Sequence, residues 1–174
     1  MAIRRSTRRI GAARIGTVAR KLLDASTLCA ISTVGPRGRA HINTAYFAWS
    51  NRLDVVWLSD PRAAHSRNVR ARETVAIAIY DSHQSWGKPD RGIQLFGAAA
   101  EVVGAAAREA AETYAARFPE YRESELGGYR FYRCRPQALK VFDERALGAG
   151  VFVTATVRSG QVAWQRTEIY DGAS

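Results

Sequence analysis

The sequence predicts an antiparallel β-barrel with helices on its periphery, a mainly β protein of the α+β kind. Three observations carry this prediction. Apolar, β-rich runs follow one another through links such as Gly35-Pro36-Arg37-Gly38 and Asn51-Arg52, too short for a helical crossover, so neighbouring strands run antiparallel. About eight such runs stand against three helical patterns, and closing the strands on one another leaves few exposed edges. No internal repeat and no long linker interrupts residues 14–174, which therefore read as one domain.

The elements follow in order. Ile15, Val18, Ala19, Leu22 and Leu23 recur at helical spacing, giving an amphipathic helix over Arg14–Ala25 that Asp24 and Ser26 close. Thr27–Val34, Ala40–Ser50 and Leu53–Ser59 form a three-stranded meander. Ala63–Arg72 is a short helix with a polar face, and Thr74–Tyr80 is a continuous apolar strand. A polar loop over residues 81–91, containing Trp86, leads into the long strand Gly92–Val103. Ala105–Arg117 is rich in Ala, Arg and Glu, the strongest helix by propensity, and Pro119 ends it. Tyr129–Asp143, interrupted by Pro136, reads as one bent strand or two short ones. A closing hairpin, Val151–Arg158 and Gln161–Tyr170, turns at Ser159-Gly160.

Charge is unevenly placed. The net charge is +10, yet seven of the 26 basic residues lie in residues 1–23, which contain no acid. The other 19 are nearly balanced by 16 acids. The excess thus belongs to an N-terminal segment, and residues 1–13 read as a basic, flexible tail rather than a nucleic-acid arm. Arg8-Arg9 resembles a twin-arginine signal, but Arg14, Arg20 and Lys21 fall where its apolar region should be. No apolar stretch approaches the roughly 18 residues of a membrane span, so no membrane partner is expected. Cys29 and Cys134 have no Cys or His neighbour at metal-ligand spacing, so they read as two free thiols of a cytoplasmic protein that holds no metal.

The chemistry-bearing run is Trp57-Leu58-Ser59-Asp60-Pro61 followed by His65-Ser66-Arg67-Asn68-Val69. A strand ending in a hydroxyl passes into a helix, whose first backbone N–H groups are free to face an anion. Ser59, Arg62, His65 and Arg67 are the side chains suited to a phosphate there, since Arg67 can bind it bidentately and His65 offers one donor. The competing reading is a solvated helix face. His41 reads as a partly buried strand residue rather than a ligand. Neither a nucleophile motif nor a pair of catalytic carboxylates is present, so any redox chemistry must come from a cofactor.

The order of elements, with Ser59-Asp60-Pro61, His65-Ser66-Arg67-Asn68-Val69, Val75–Tyr80 and Gly92–Glu101, resembles the pyridoxamine 5′-phosphate oxidase-like superfamily. The resemblance covers residues 22–103 and implies a split β-barrel that binds FMN or, in some branches, a deazaflavin coenzyme or haem. It also implies a homodimer with the cofactor in the groove between subunits. The family's phosphate-holding hydroxyl matches Ser59. Its Ser-Arg-Lys cluster falls on Ala63, Ala64 and His65, and its second-strand arginine and lysine fall on Asn43 and Ala48. Its flavin-contacting glutamine falls on Gly92, with Gln94 two residues on along the same face. The backbone of Asn43, Thr44 and Ala45 would meet the ring's polar edge, and Trp164 and Arg166 lie on the strand that closes such chains. The substrate-gripping arginine and histidine of the oxidase have no counterpart after Trp164, so a genuine pyridoxamine phosphate oxidase is not expected. The resemblance implies instead an FMN-dependent oxidoreductase acting on a small molecule by hydride transfer. The alternatives are a non-catalytic flavin- or haem-binding protein and a deazaflavin-dependent reductase.

Overall fold

A computed structural model of the chain describes residues 2–122, 124 and 127–171. The elements are β1 (Ala2–Ser6), α1 (Ala12–Asp24), β2 (Leu28–Val34), β3 (Ala40–Trp49), β4 (Val55–Ser59), α2 (Ala64–Ala71) and β5 (Thr74–Tyr80). They continue as β6 (Arg91–Glu101), α3 (Ala105–Arg117), β7 (Arg130–Asp143), α4 (Glu144–Leu147), β8 (Val151–Arg158) and β9 (Gln161–Asp171). Hydrogen-bonded neighbours run β1-β9-β8-β7-β4-β3-β2-β5-β6, and β6 also pairs with β7. Strands β2 to β7 therefore close an antiparallel six-stranded barrel, with β8, β9 and β1 extending from it.

β7 is the seam of this barrel. On one side it follows β6 from Glu101↔Tyr132 to Arg91↔Asp143. On the other it pairs first with β4, over Arg130–Cys134, and then with β8, over Ala138–Phe142. Pro136 sits at this handover, opposite the register shift between Phe96 and Gly97, where a missing N–H disturbs the ladder least. The strand is consequently one bent strand, not two. A Cβ on Gly97 would lie 2.2 Å from the carbonyl oxygen of Arg135, so the two backbones can meet here only because residue 97 has no side chain.

The barrel interior is filled by alternate residues of the strands, among them Ile31, Phe47, Val55, Trp57, Ile77, Ile93, Leu95, Tyr132 and Leu139. Trp57 stacks on Tyr132 with ring centroids 5.7 Å apart. α1 lays Ile15, Val18, Ala19, Leu22 and Leu23 into the same core, the face its periodicity predicts. α3 covers a second cluster on the outside of the barrel, where Ala110 and Tyr114 pack with Ala48, Val56 and Phe131. Arg117 at the end of α3 donates to the carbonyls of Leu23 (2.9 Å) and Ser26 (2.6 Å) and lies over the Phe47 ring. It thereby satisfies acceptors that the end of α1 leaves open.

The structure differs from the sequence expectation at the N-terminus. Residues 2–6 form β1, antiparallel to β9, with Arg4 opposite Ile169 and Arg5 opposite Glu168. Charge density suggested a flexible tail, but the outer edge of β9 offers a row of backbone groups that β1 pairs. The short helix α4 was also not foreseen; Asp143 caps it by accepting from the Ala146 N–H at 2.9 Å.

Substitution of Gly97 tests the seam. Gly97→Ala should lower the unfolding free energy by about 3 kcal/mol through overpacking against Arg135, read as an earlier urea midpoint with an unchanged slope. A midpoint equal to that of the parent protein would contradict the close approach.

Candidate functional site

The barrel is split between β3 and β4. These strands pair only from Phe47↔Trp57 to Trp49↔Val55, and beyond that the first half of β3 remains on β2 alone. α2 packs against β2 and β3 there. A buried hydrogen bond from Asn68 Nδ2 to Thr33 Oγ1, 3.0 Å long, fastens the helix to β2.

Polar groups gather in this split. Ser59, at the end of β4, is buried, and its Oγ lies 2.7 Å from His65 Nε2. Ser66, fully buried, donates to Ser59 Oγ at 3.2 Å. His41 on β3 stacks on His65 with centroids 6.3 Å apart and planes at 29°. Two further atoms, His41 Nδ1 and Asn43 Oδ1, are buried without a hydrogen-bond partner in the structure. The N-cap of α2 is Ala63, which supplies no side-chain cap, so the first-turn N–H groups beside His65 keep their capacity to bind an anion.

Burial holds the His65 imidazole below its ordinary pKa, and the neighbouring His41 lowers it further. Nearby acids are occupied by their own partners. Asp60 binds the exposed Arg62 at 2.9 Å. Glu101 accepts from Arg70 and from the Tyr132 hydroxyl, both at 3.2 Å.

The ten residues singled out from the sequence divide into groups. Ser59, His65, Asn43 and Ala45 belong to the split; Asn43 and Ala45 share the inward face of β3 with His41. Arg62 and Arg67 do not converge on that cluster: both are exposed, Arg62 is bound to Asp60, and the Arg67 guanidinium donates to the Arg62 carbonyl. Thr44, between Asn43 and Ala45, points to the opposite, outer face, because side chains alternate along a strand. Gln94 and Arg166 also face outward, on one cross-strand row through Lys140 and Thr154. Arg166 is paired with Glu168 at 3.2 Å, and Lys140 binds the same carboxylate at 3.0 Å. Trp164 points the other way, against the core, under Arg9, with its indole N–H on Thr167 Oγ1 at 3.0 Å. His41 belongs to the split although its sequence reading left it out; its i, i+2 relation to Asn43 was the available signal.

The outer face beside the split is apolar for its exposure. Tyr46, Leu28 and Tyr80 form one side, and Ile42, Ala76 and Phe96 lie across β3, β5 and β6, with Ile42 69% exposed. Two clefts open on it, one of about 370 Å³ near Phe96 and Gln137 and one of about 300 Å³ near Thr44 and Tyr80. Among the described residues no group of three His, Cys, Asp or Glu side chains is placed to hold a metal ion. Cys29 and Cys134 are separate buried thiols, each pushed up to about 12 by burial. No helix among the described residues is long and apolar enough to cross a membrane.

A six-stranded antiparallel barrel, opened between two strands and wedged by a short helix with an uncapped N-terminus, defines a split-barrel protein. The profile described as pyridoxamine 5′-phosphate oxidase matches residues 15–143, and the chain belongs to that family. Solved structures share the fold at low identity. A haem-binding protein from Mycobacterium smegmatis superposes with a TM-score of 0.64 at 12% identity, covering 95% of this chain and 90% of that one. A protein of the pyridoxinephosphate oxidase family from Clostridium acetobutylicum, related to general stress protein 26, gives 0.61 at 10%, covering 84% and 96%. A protein named F420 reductase gives 0.54 at 19%, covering 69% and 94%. No curated protein matches the chain.

The His65 environment has a consequence for stability. Because its folded-state pKa lies below the ordinary 6.5, the unfolded chain binds more protons once the pH falls through that value. Stability therefore declines with falling pH from about 6.5 until the folded group itself titrates. His65→Gln should flatten this part of the curve, measured as the thermal midpoint between about pH 5 and pH 7. Equal slopes in both proteins would remove His65 from the account.

Proposed function

We propose that the protein is an FMN-dependent oxidoreductase acting on a small molecule by hydride transfer, working as a homodimer with the cofactor at the subunit interface. The observation that carries this reading is the uncapped N-terminus of α2 set beside the Ser59–His65 pair in the open part of the barrel. The residues present suit the group. A phosphate needs several converging donors, and the first-turn N–H groups, the Ser59 hydroxyl and the His65 imidazole provide them. A flavin's polar edge needs partners deeper in the split, and the unpaired Asn43 Oδ1 is an acceptor there.

FMN, when bound, supplies the hydride chemistry. The chain's part is to bind and to orient. Ser59, held by Ser66, would hold the phosphate; the Asn68–Thr33 bond keeps α2 against β2; the inward face of β3 would hold the ring. The exposed apolar surface of β2, β3, β5 and β6, continuous with the split, supports the homodimer, since such a face on a monomer marks an interaction site. The substrate is a small molecule entering beside the ring, and the two buried, separate thiols support a cytoplasmic location.

One observation favours a second reading. Two imidazoles, His41 and His65, stack in the split, and His65 stands where the family resemblance leads one to expect a lysine. Imidazoles are also axial ligands of haem, so a non-catalytic haem-binding protein is the alternative; a deazaflavin-dependent reductase is another use of the same split.

The absorption spectrum of the purified protein distinguishes these readings. A flavin spectrum with FMN released on denaturation is expected; a Soret band would replace the reading with haem. Ser59→Ala and His65→Ala should each weaken FMN binding at least about tenfold, the cost of one charge-assisted hydrogen bond. Affinities within about twofold of the parent would remove the phosphate from this position.

A further inference from the structure

We propose that His41 is the second imidazole of the anion site in the split, and that the His41–His65 pair takes a phosphate dianion only together with protons. Binding and proton uptake would then be a single equilibrium. The inference rests on the phosphate reading of the split, and adds to it a residue and a protonation requirement.

The hydrogen bonds give the free state a direction. Ser66 Oγ donates to Ser59 Oγ, and the Ser59 hydroxyl has two acceptors in reach, His65 Nε2 at 2.7 Å and the Asp60 carbonyl at 3.4 Å; with the nearer one accepting, His65 Nε2 is unprotonated. A proton taken from solvent onto Nε2 reverses this bond: His65 donates to Ser59, and the Ser59 hydroxyl proton turns to the anion. Protonation thus supplies a positive charge and releases a donor in one step. His41 faces His65 at 6.3 Å, and two cations at this separation repel each other. A dianion placed against the pair cancels the repulsion, which is why the protons enter with it.

Among the described residues, the charged groups on the elements around the pair have partners of their own. From α2, Arg70 is engaged by Glu101 and Tyr132, and Arg67 faces solvent against the Arg62 carbonyl. From β7, Arg130, opposite Ser59 in the ladder, donates to the Tyr129 carbonyl and lies 4.0 Å from Glu101, and the Tyr132 hydroxyl donates to Glu101. From β2, Thr33 is occupied by Asn68. From the loop after β4, Asp60 is matched by Arg62. On His41's own strand, Asn43 offers an unpaired, uncharged acceptor.

The chain contains three histidines, and the third, His83, is exposed on the β5–β6 loop beside Asp81. Imidazole proton NMR can therefore follow the pair with an internal control, the signals being assigned by His→Gln variants. Pyrophosphate and FMN are the probes, with riboflavin as the phosphate-free comparison. Saturating pyrophosphate should raise the titration midpoints of His41 and His65 by about one pH unit or more, a tenfold linkage per proton, and leave His83 in place. FMN should do the same, its affinity weakening with rising pH by up to about tenfold per pH unit for each proton taken up, while that of riboflavin stays flat. His65→Lys, restoring a fixed cation, should flatten the FMN profile, and His41→Gln should make it shallower.

FMN binding with a flat profile and unmoved midpoints overturns the proposal and leaves the flavin reading standing. Midpoints moved by pyrophosphate without FMN binding uphold the proton-coupled anion site and overturn the flavin reading. Unmoved midpoints with neither probe bound overturn both.

Discussion

The double pairing of β7 is the constraint from which the rest of the architecture follows. One strand serves β6 along a whole edge and divides its other edge between β4 and β8, and this is possible only where Gly97 lets its backbone come against Arg135 and Pro136. Closing the barrel at β7 leaves the slack elsewhere. β4, drawn towards β7 over Val55–Ser59, parts from β3 after three residue pairs. The gap admits α2.

The wedge placed in that gap determines the local chemistry. α2 brings a helix N-terminus, an imidazole and a hydroxyl to the end of β4, while the inward face of β3 contributes another imidazole and an amide. Buried polar atoms are ordinarily paired. Here His41 Nδ1 and Asn43 Oδ1 are not, and both sit on the wall of the split. Exposed arginines nearby do not compensate, because they are matched or turned to solvent. Among the described residues, the groups that meet in the split are thus hydroxyls, imidazoles, an amide and backbone N–H.

Much of the fold was legible in the chain. The α1 face, the short turns, the helices α2 and α3 and the closing hairpin follow from 3.6- and 2-residue periodicities that neighbouring elements reinforce. β1 was not legible, because Arg4 and Arg5 give no strand signal and only the free edge of β9 recruits them. The site was legible in part. Ser59 and His65 could be named since strand and helix are adjacent in sequence, and that adjacency carries them together. Gln94, Trp164 and Arg166 could not be placed, because the face a residue takes depends on register shifts such as that between Thr154 and Ala155, which put Arg166 outward and Trp164 inward.

The sequence by itself determined the antiparallel, barrel-forming character of the protein, its family and the strand–helix junction at Ser59–His65. These depend on local periodicity and on contacts between neighbours along the chain. The tertiary structure decided which strand is the seam, that the barrel opens between β3 and β4, and that His41 meets His65. Those outcomes depend on long-range pairing and on a single inward face shared across elements. Residues 24 positions apart become stacked rings only once β2 carries β3 and α2 on the same side of the barrel.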